Sequence, residues 1–134
     1  EVKRQLDQNL SYPDREKVWE EFQRQFGSRK RIAAMANDVA DMEKPLKARM
    51  SAAKMLRNNN YHKQVEDYLR VLADGSEELP LRVALAEALG WFTHSCRREE
   101  IVTSLKEAAA LERTPRQLGN ELEKSIARIE HFMR

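Results

Sequence analysis

A single cysteine, Cys96, stands among 134 residues, so no internal disulfide can form and the fold must rest on its apolar core. Glycine and proline number only four each, which excludes a collagen-like or low-complexity chain. No apolar run approaches the roughly 20 residues that a helical membrane span needs, and no signal-peptide pattern opens the chain. The expectation is a soluble domain, with the cytoplasm slightly favoured if no upstream signal has been removed. Glu1 in place of Met reads as a processed or excised piece of a longer protein.

An excess of one charge is missing too. The 24 Lys and Arg residues against 22 Asp and Glu leave a net charge of only +2. The balance is even along the chain, at +2, +1 and −1 over 1–31, 32–75 and 76–134. Neither a polybasic membrane patch nor a nucleic-acid stripe is visible, so nucleic acid is a disfavoured partner. The densest basic run, Arg29-Lys30-Arg31, is expected at a helix start, where cations oppose the dipole.

What the chain has is helix-forming residues. Alanine and leucine (15 and 14) outnumber valine and isoleucine (7 and 4), and no segment alternates apolar and polar residues over a strand length, so an all-α fold follows. Val2, Leu6 and Leu10 suit a short first helix. Pro13 opens a segment with Val18, Trp19, Phe22 and Phe26 on one stripe, near Tyr12. Gly27 is expected to close it with a left-handed cap, and Ser28 to start a return helix through Ile32, Met35, Ala36, Val39 and Ala40 up to Pro45. That would make residues 1–45 a capping hairpin. The same spacing then marks Met50, Ala53 and Leu56 up to the Asn58-Asn59-Asn60 turn, and Val65, Tyr68, Leu69 and Leu72 up to Gly75. It marks Leu81, Leu85, Leu89 and Phe92 after Pro80, Ile101, Val102, Leu105 and Ala108 next, and Leu118, Leu122, Ile126 and Ile129 after the Thr114-Pro115 cap. Seven helices are expected from Pro13 onward.

Residues 48–56 fall on 81–89 when shifted by 33 positions. Both stretches read as arginine, then small residues, then leucine. Val65, Leu69 and Arg70 match Ile101, Leu105 and Lys106 once three residues are allowed in the turn, and a partial third copy begins near Leu118. The segment from Leu81 to Gly90 resembles the first helix of a HEAT repeat. The resemblance covers 46–130 and implies a short right-handed α-solenoid of antiparallel helix hairpins, two full units and a partial third, within one domain spanning 1–134. The two full units differ in turn length, and the polar ladder often seen on the second helices of that family is not evident.

A solenoid of this kind implies a non-catalytic protein-protein interaction or scaffold module, whose partner is another protein or another domain of the same chain. The expected contacts are Lys63, Gln64, Asp67 and Arg70 on one second helix, and Arg97, Arg98 and Lys106 on the next. Trp91 joins them, because consecutive Trp91 and Phe92 cannot share one buried face and aromatic anchors are enriched in interfaces. An alternative is a catalytic or small-molecule pocket around His94 and Cys96, with Arg97 and Arg98 beside the thiol. Chemistry there needs an oriented base and a third polar group, and the sequence assigns neither. A second alternative is a weak nucleic-acid-binding repeat. No histidine or cysteine pair has metal-ligand spacing, no glycine-rich phosphate loop is present, and no cofactor is expected. The acidic pairs Glu77-Glu78 and Glu99-Glu100 are read as dipole partners at helix starts.

Overall fold

The computed structural model describes residues 12–134, with the side chains of 12–16, 19 and 22–28 not described. The possible helix over 1–10 and the stripe of Trp19, Phe22 and Phe26 therefore lie outside what is described. The described residues form six α-helices and no strand. They are α1 (Tyr12–Asp38), α2 (Leu46–Asn58), α3 (Val65–Ala73), α4 (Leu79–Leu89), α5 (Arg98–Ala110) and α6 (Arg116–His131), with a 3-10 turn at His62–Gln64 before α3. None is long and apolar enough to cross a membrane.

The expected seventh helix is absent because α1 runs unbroken through Gly27 and Ser28. No hairpin turn forms there. A lone glycine inside a helix costs roughly 1 kcal/mol, and with no proline after it that cost does not end a helix whose neighbours are Gln, Arg and Lys. Arg29-Lys30-Arg31 thus lies inside α1, where the dipole penalty expected of a helix start does not arise.

By its contacts the chain divides into Glu1–Ala33 and Ala34–Arg134. The second unit holds the core. In it α2 packs on α4 and α4 on α6, while α3 packs on α4 and α5, and α5 on α6. Helix α4 touches three others, which is why Leu81, Ala84, Leu85, Ala86, Ala88 and Leu89 are all buried; each leucine contributes roughly 2 kcal/mol by its burial. Small residues let the helices close up. A Cβ placed on Gly90 would lie 2.3 Å from Ser125 Oγ and 2.6 Å from Ser125 Cβ, so only glycine fits there against α6. Ser125 is fully buried and donates to Ala86 O at 2.6 Å. It takes the inward position that the sequence pattern gave to Ile126, which is only partly buried.

Helices α2, α4 and α6 start alike. Their N-cap residues Pro45, Glu78 and Pro115 have similar backbone angles, with φ of −64°, −59° and −58° and ψ of 152°, 127° and 146°. Four residues into α2, Arg49 is 5% exposed and donates from Nε to Val39 O at 3.0 Å. At the matching place in α4, Arg82 is 7% exposed and donates from Nε to Leu72 O at 2.9 Å. Each arginine reaches ten residues back to a carbonyl at the end of the previous helix, which a helix C-terminus leaves without an intrahelical partner. In α6 the matching residue is Gly119. The carbonyl at the end of α5 is met instead by Thr114, whose hydroxyl donates to Ala108 O at 2.6 Å; the sequence placed Thr114 as a cap of α6, but it closes the helix before.

Candidate functional site

Trp91 follows the last turn of α4 and is 37% exposed, while Phe92 beside it is fully buried. The helix stops at Leu89, and Trp91 N donates to Ala88 O and Phe92 N to Leu89 O, both at 3.1 Å. That tight turn sends the two rings to opposite sides. Two cations lie over the indole ring, the Arg128 guanidinium of α6 4.2 Å from its centroid and that of Arg57, from α2, at 4.9 Å. Arg57 Nη1 also binds Glu87 Oε1 of α4 at 2.9 Å. Arg128 Nη1 is buried with no hydrogen-bond acceptor, so the π-face of Trp91 is the contact its charge is shown to make. Next to Arg57 a cleft of about 300 Å³ is lined by Lys54, Arg57, Asn58, Ala84, Glu87 and Ala88. A part-exposed indole with two guanidiniums against its ring, beside a charged groove, offers an aromatic edge and cationic groups to a partner surface.

The other expected contact residues lie on α3, α5 and their approaches. Lys63 is exposed in the 3-10 turn, and Gln64 next to it is half-buried. Arg70 and Asp67 pair with each other at 2.9 Å. Arg97 binds Glu66 of α3 and also Glu100 Oε2, the latter at 2.7 Å. These bonds raise the Arg97 pKa and lower that of Glu66, with the hydrogen bond between the two side chains as the leading cause for both. Lys106 joins α5 to Glu130 of α6 at 3.1 Å. Arg98 donates from Nη1 to Thr93 O at 3.0 Å and Phe132 O at 3.4 Å. Arg97 thus joins α3 to α5, but among the described residues no hydrogen bond, ion pair or ring contact ties this group to Trp91, which meets Arg57 and Arg128.

Around Cys96 the turn is held together by its own backbone. Ser95 Oγ accepts from Arg97 N at 3.0 Å. His94 meets Phe132 edge-on with ring centroids 5.1 Å apart. Cys96 is exposed, and among the described residues no hydrogen bond joins it to His94. The two neighbouring arginines are occupied by carboxylates and carbonyls. Among the described residues, no group of three His, Cys, Asp or Glu side chains is placed to hold a metal ion.

Comparison with protein-family models, curated proteins and solved structures gives no match.

Sequence reasoning missed Arg57 and Arg128 at the tryptophan, and it missed the buried pair of Arg49 with Glu77. Arg49 holds the Glu77 carboxylate through both Nη groups, with the two side chains 6% and 7% exposed. Glu77 thus ties α2 to the segment before α4, and the dipole role expected of it is secondary. The one signal available was the arginine shared by the two 33-residue copies, whose burial spacing alone does not reveal.

Proposed function

We propose that this chain is a non-catalytic protein-protein interaction or scaffold module, built as a short right-handed stack of HEAT-like helix hairpins that bind another protein or another domain of the same chain. The observation that carries this reading is Trp91, part-exposed after α4 with Arg57 of α2 and Arg128 of α6 over its ring. An aromatic ring ordered before binding loses little entropy on contact, which is what an interface anchor requires. The stack itself is supported by the matching N-caps of α2, α4 and α6 and by the arginine bond that recurs between successive units. A non-catalytic role is supported at Cys96, where Arg97 and Arg98 are engaged away from the thiol.

The test uses the intact chain and its Trp91→Ala variant in quantitative cross-linking from cells, followed by affinity measurement with each recovered partner. Trp91→Ala is expected to weaken a direct partner at least tenfold while changing stability by only about 1 kcal/mol. Partners that bind both forms equally would contradict the reading. Alkylation of Cys96 at a rate far above that of free cysteine would favour the catalytic alternative instead.

A further inference from the structure

The two buried arginines make the same bond with Nε and differ in what their Nη groups meet. In the first unit the fork of Arg49 closes on Glu77, in a bidentate pair shielded from water. The residue matching Glu77 in the next unit, two positions before the start of α6, is Thr114, and its hydroxyl is committed to Ala108 O. Among the described residues the Nη groups of Arg82 have no hydrogen-bond partner, although Arg82 is only 7% exposed. Arg82 lines a cleft of about 250 Å³ with Gly75, Leu111, Arg113, Thr114 and Pro115. Asp74 lies close enough to feel the charge of Arg82, but its Oδ1 takes the Ser76 amide and hydroxyl at 2.9 and 2.6 Å, and among the described residues no hydrogen bond or ion pair joins either of its oxygens to Arg82.

A guanidinium fork facing an accessible cleft suits one chemistry best, a planar carboxylate held by two parallel N–H bonds. Arg113 adds a second cation to the lining, and Leu111 and Pro115 offer apolar surface to an aliphatic stem. We propose that this cleft binds a carboxylate in the place that Glu77 fills for Arg49, and that its occupant is a glutamate side chain on an exposed segment of the protein partner. The first half stands on the geometry alone, whereas the second rests on the interaction role proposed above.

The experiment follows the Arg82 Nε–Hε resonance of the full ¹⁵N-labelled chain during titration with three probes. They are a blocked seven-residue peptide with one central glutamate, its glutamine counterpart, and propionate. The glutamate peptide is expected to shift the resonance saturably with a Kd on the order of millimolar, and the glutamine peptide to bind at least about tenfold more weakly. Arg113→Gln is expected to weaken the glutamate peptide about threefold or more with no change in Tm. Thr114→Glu, which supplies the missing carboxylate from within the chain, is expected to remove the effect of the peptide. A wild-type chain that shows no saturable shift, or that responds equally to glutamate and glutamine, overturns the carboxylate site, as does full affinity in Thr114→Glu. Propionate binding as tightly as the glutamate peptide overturns the protein-borne occupant alone.

Discussion

Two arginines with one backbone role differ in how much of the fold depends on them. Removing Arg49 strands a buried carboxylate, whereas removing Arg82 strands only a carbonyl. Arg49→Met is therefore expected to lower unfolding free energy by about 3–5 kcal/mol, and Arg82→Met by about 1–3 kcal/mol, both measured by urea denaturation. Pairing Arg49→Met with Glu77→Leu should recover much of the first loss, because no unpaired charge then remains buried. Tyr68 gives a pH signature. It is fully buried and donates to Tyr61 O at 3.0 Å, and burial is the leading cause that pushes its pKa well above the usual tyrosine value. The unfolded chain sheds that proton near pH 10 while the native state keeps it, so stability is intact below about pH 10 and falls as pH rises beyond it. Tyr68→Phe is expected to cost about 1 kcal/mol at neutral pH and to flatten the alkaline decline, as read from denaturant midpoints across pH. The arginines were legible as repeated letters, but their burial was not, since arginine is ordinarily a surface residue and only a facing carboxylate or carbonyl makes a dry position tolerable.

Helix boundaries after Pro45 followed the sequence closely because each has a local cause. Asn60 Nδ2 bonds Leu56 O at 3.0 Å beyond α2, Pro80 sits in the first turn of α4, and Pro115 precedes α6. Gly27 misled, since the same residue serves as a cap or as a tolerated interior position and nothing nearby decides between them. The two cases have opposite signs. With Gly27 inside α1, Gly27→Ala is expected to raise helicity and to stabilise by roughly 0.5–1 kcal/mol, whereas a left-handed cap would be destabilised; circular dichroism with thermal melting distinguishes them. Gly90 is the reverse case, expected to lose about 1–3 kcal/mol on change to alanine through overpacking against Ser125. Ser125→Gly in the same chain should return part of that loss if the close approach is its origin. The inward place of Ser125 could not be read from the pattern, which favours isoleucine, because it depends on how near α6 comes to Gly90.

For the unit Ala34–Arg134, composition and spacing were enough to give the all-helical class, since they are local properties summed over the chain. The candidate site was not legible in the same way. Trp91 was visible as an aromatic that its neighbour would displace outward, but Arg57 and Arg128 lie 34 and 37 positions away and meet it only once α2, α4 and α6 are in place. The open cleft at Arg82, and the support that recurring arginine bonds give to the stacked arrangement, depend on one structural feature. An arginine ties α2 and α4 each to a carbonyl ten residues back, with its Nη groups paired to Glu77 in the first case and left without an acceptor among the described residues in the second. Proton exchange at the arginine side chains, followed by NMR on the full chain, tests it most directly. The Nε protons of Arg49 and Arg82 should both exchange far more slowly than that of exposed Arg57, with the Nη protons of Arg49 protected and those of Arg82 exchanging freely. An unprotected Nε at Arg82, or the same Nη behaviour at both arginines, would contradict the account.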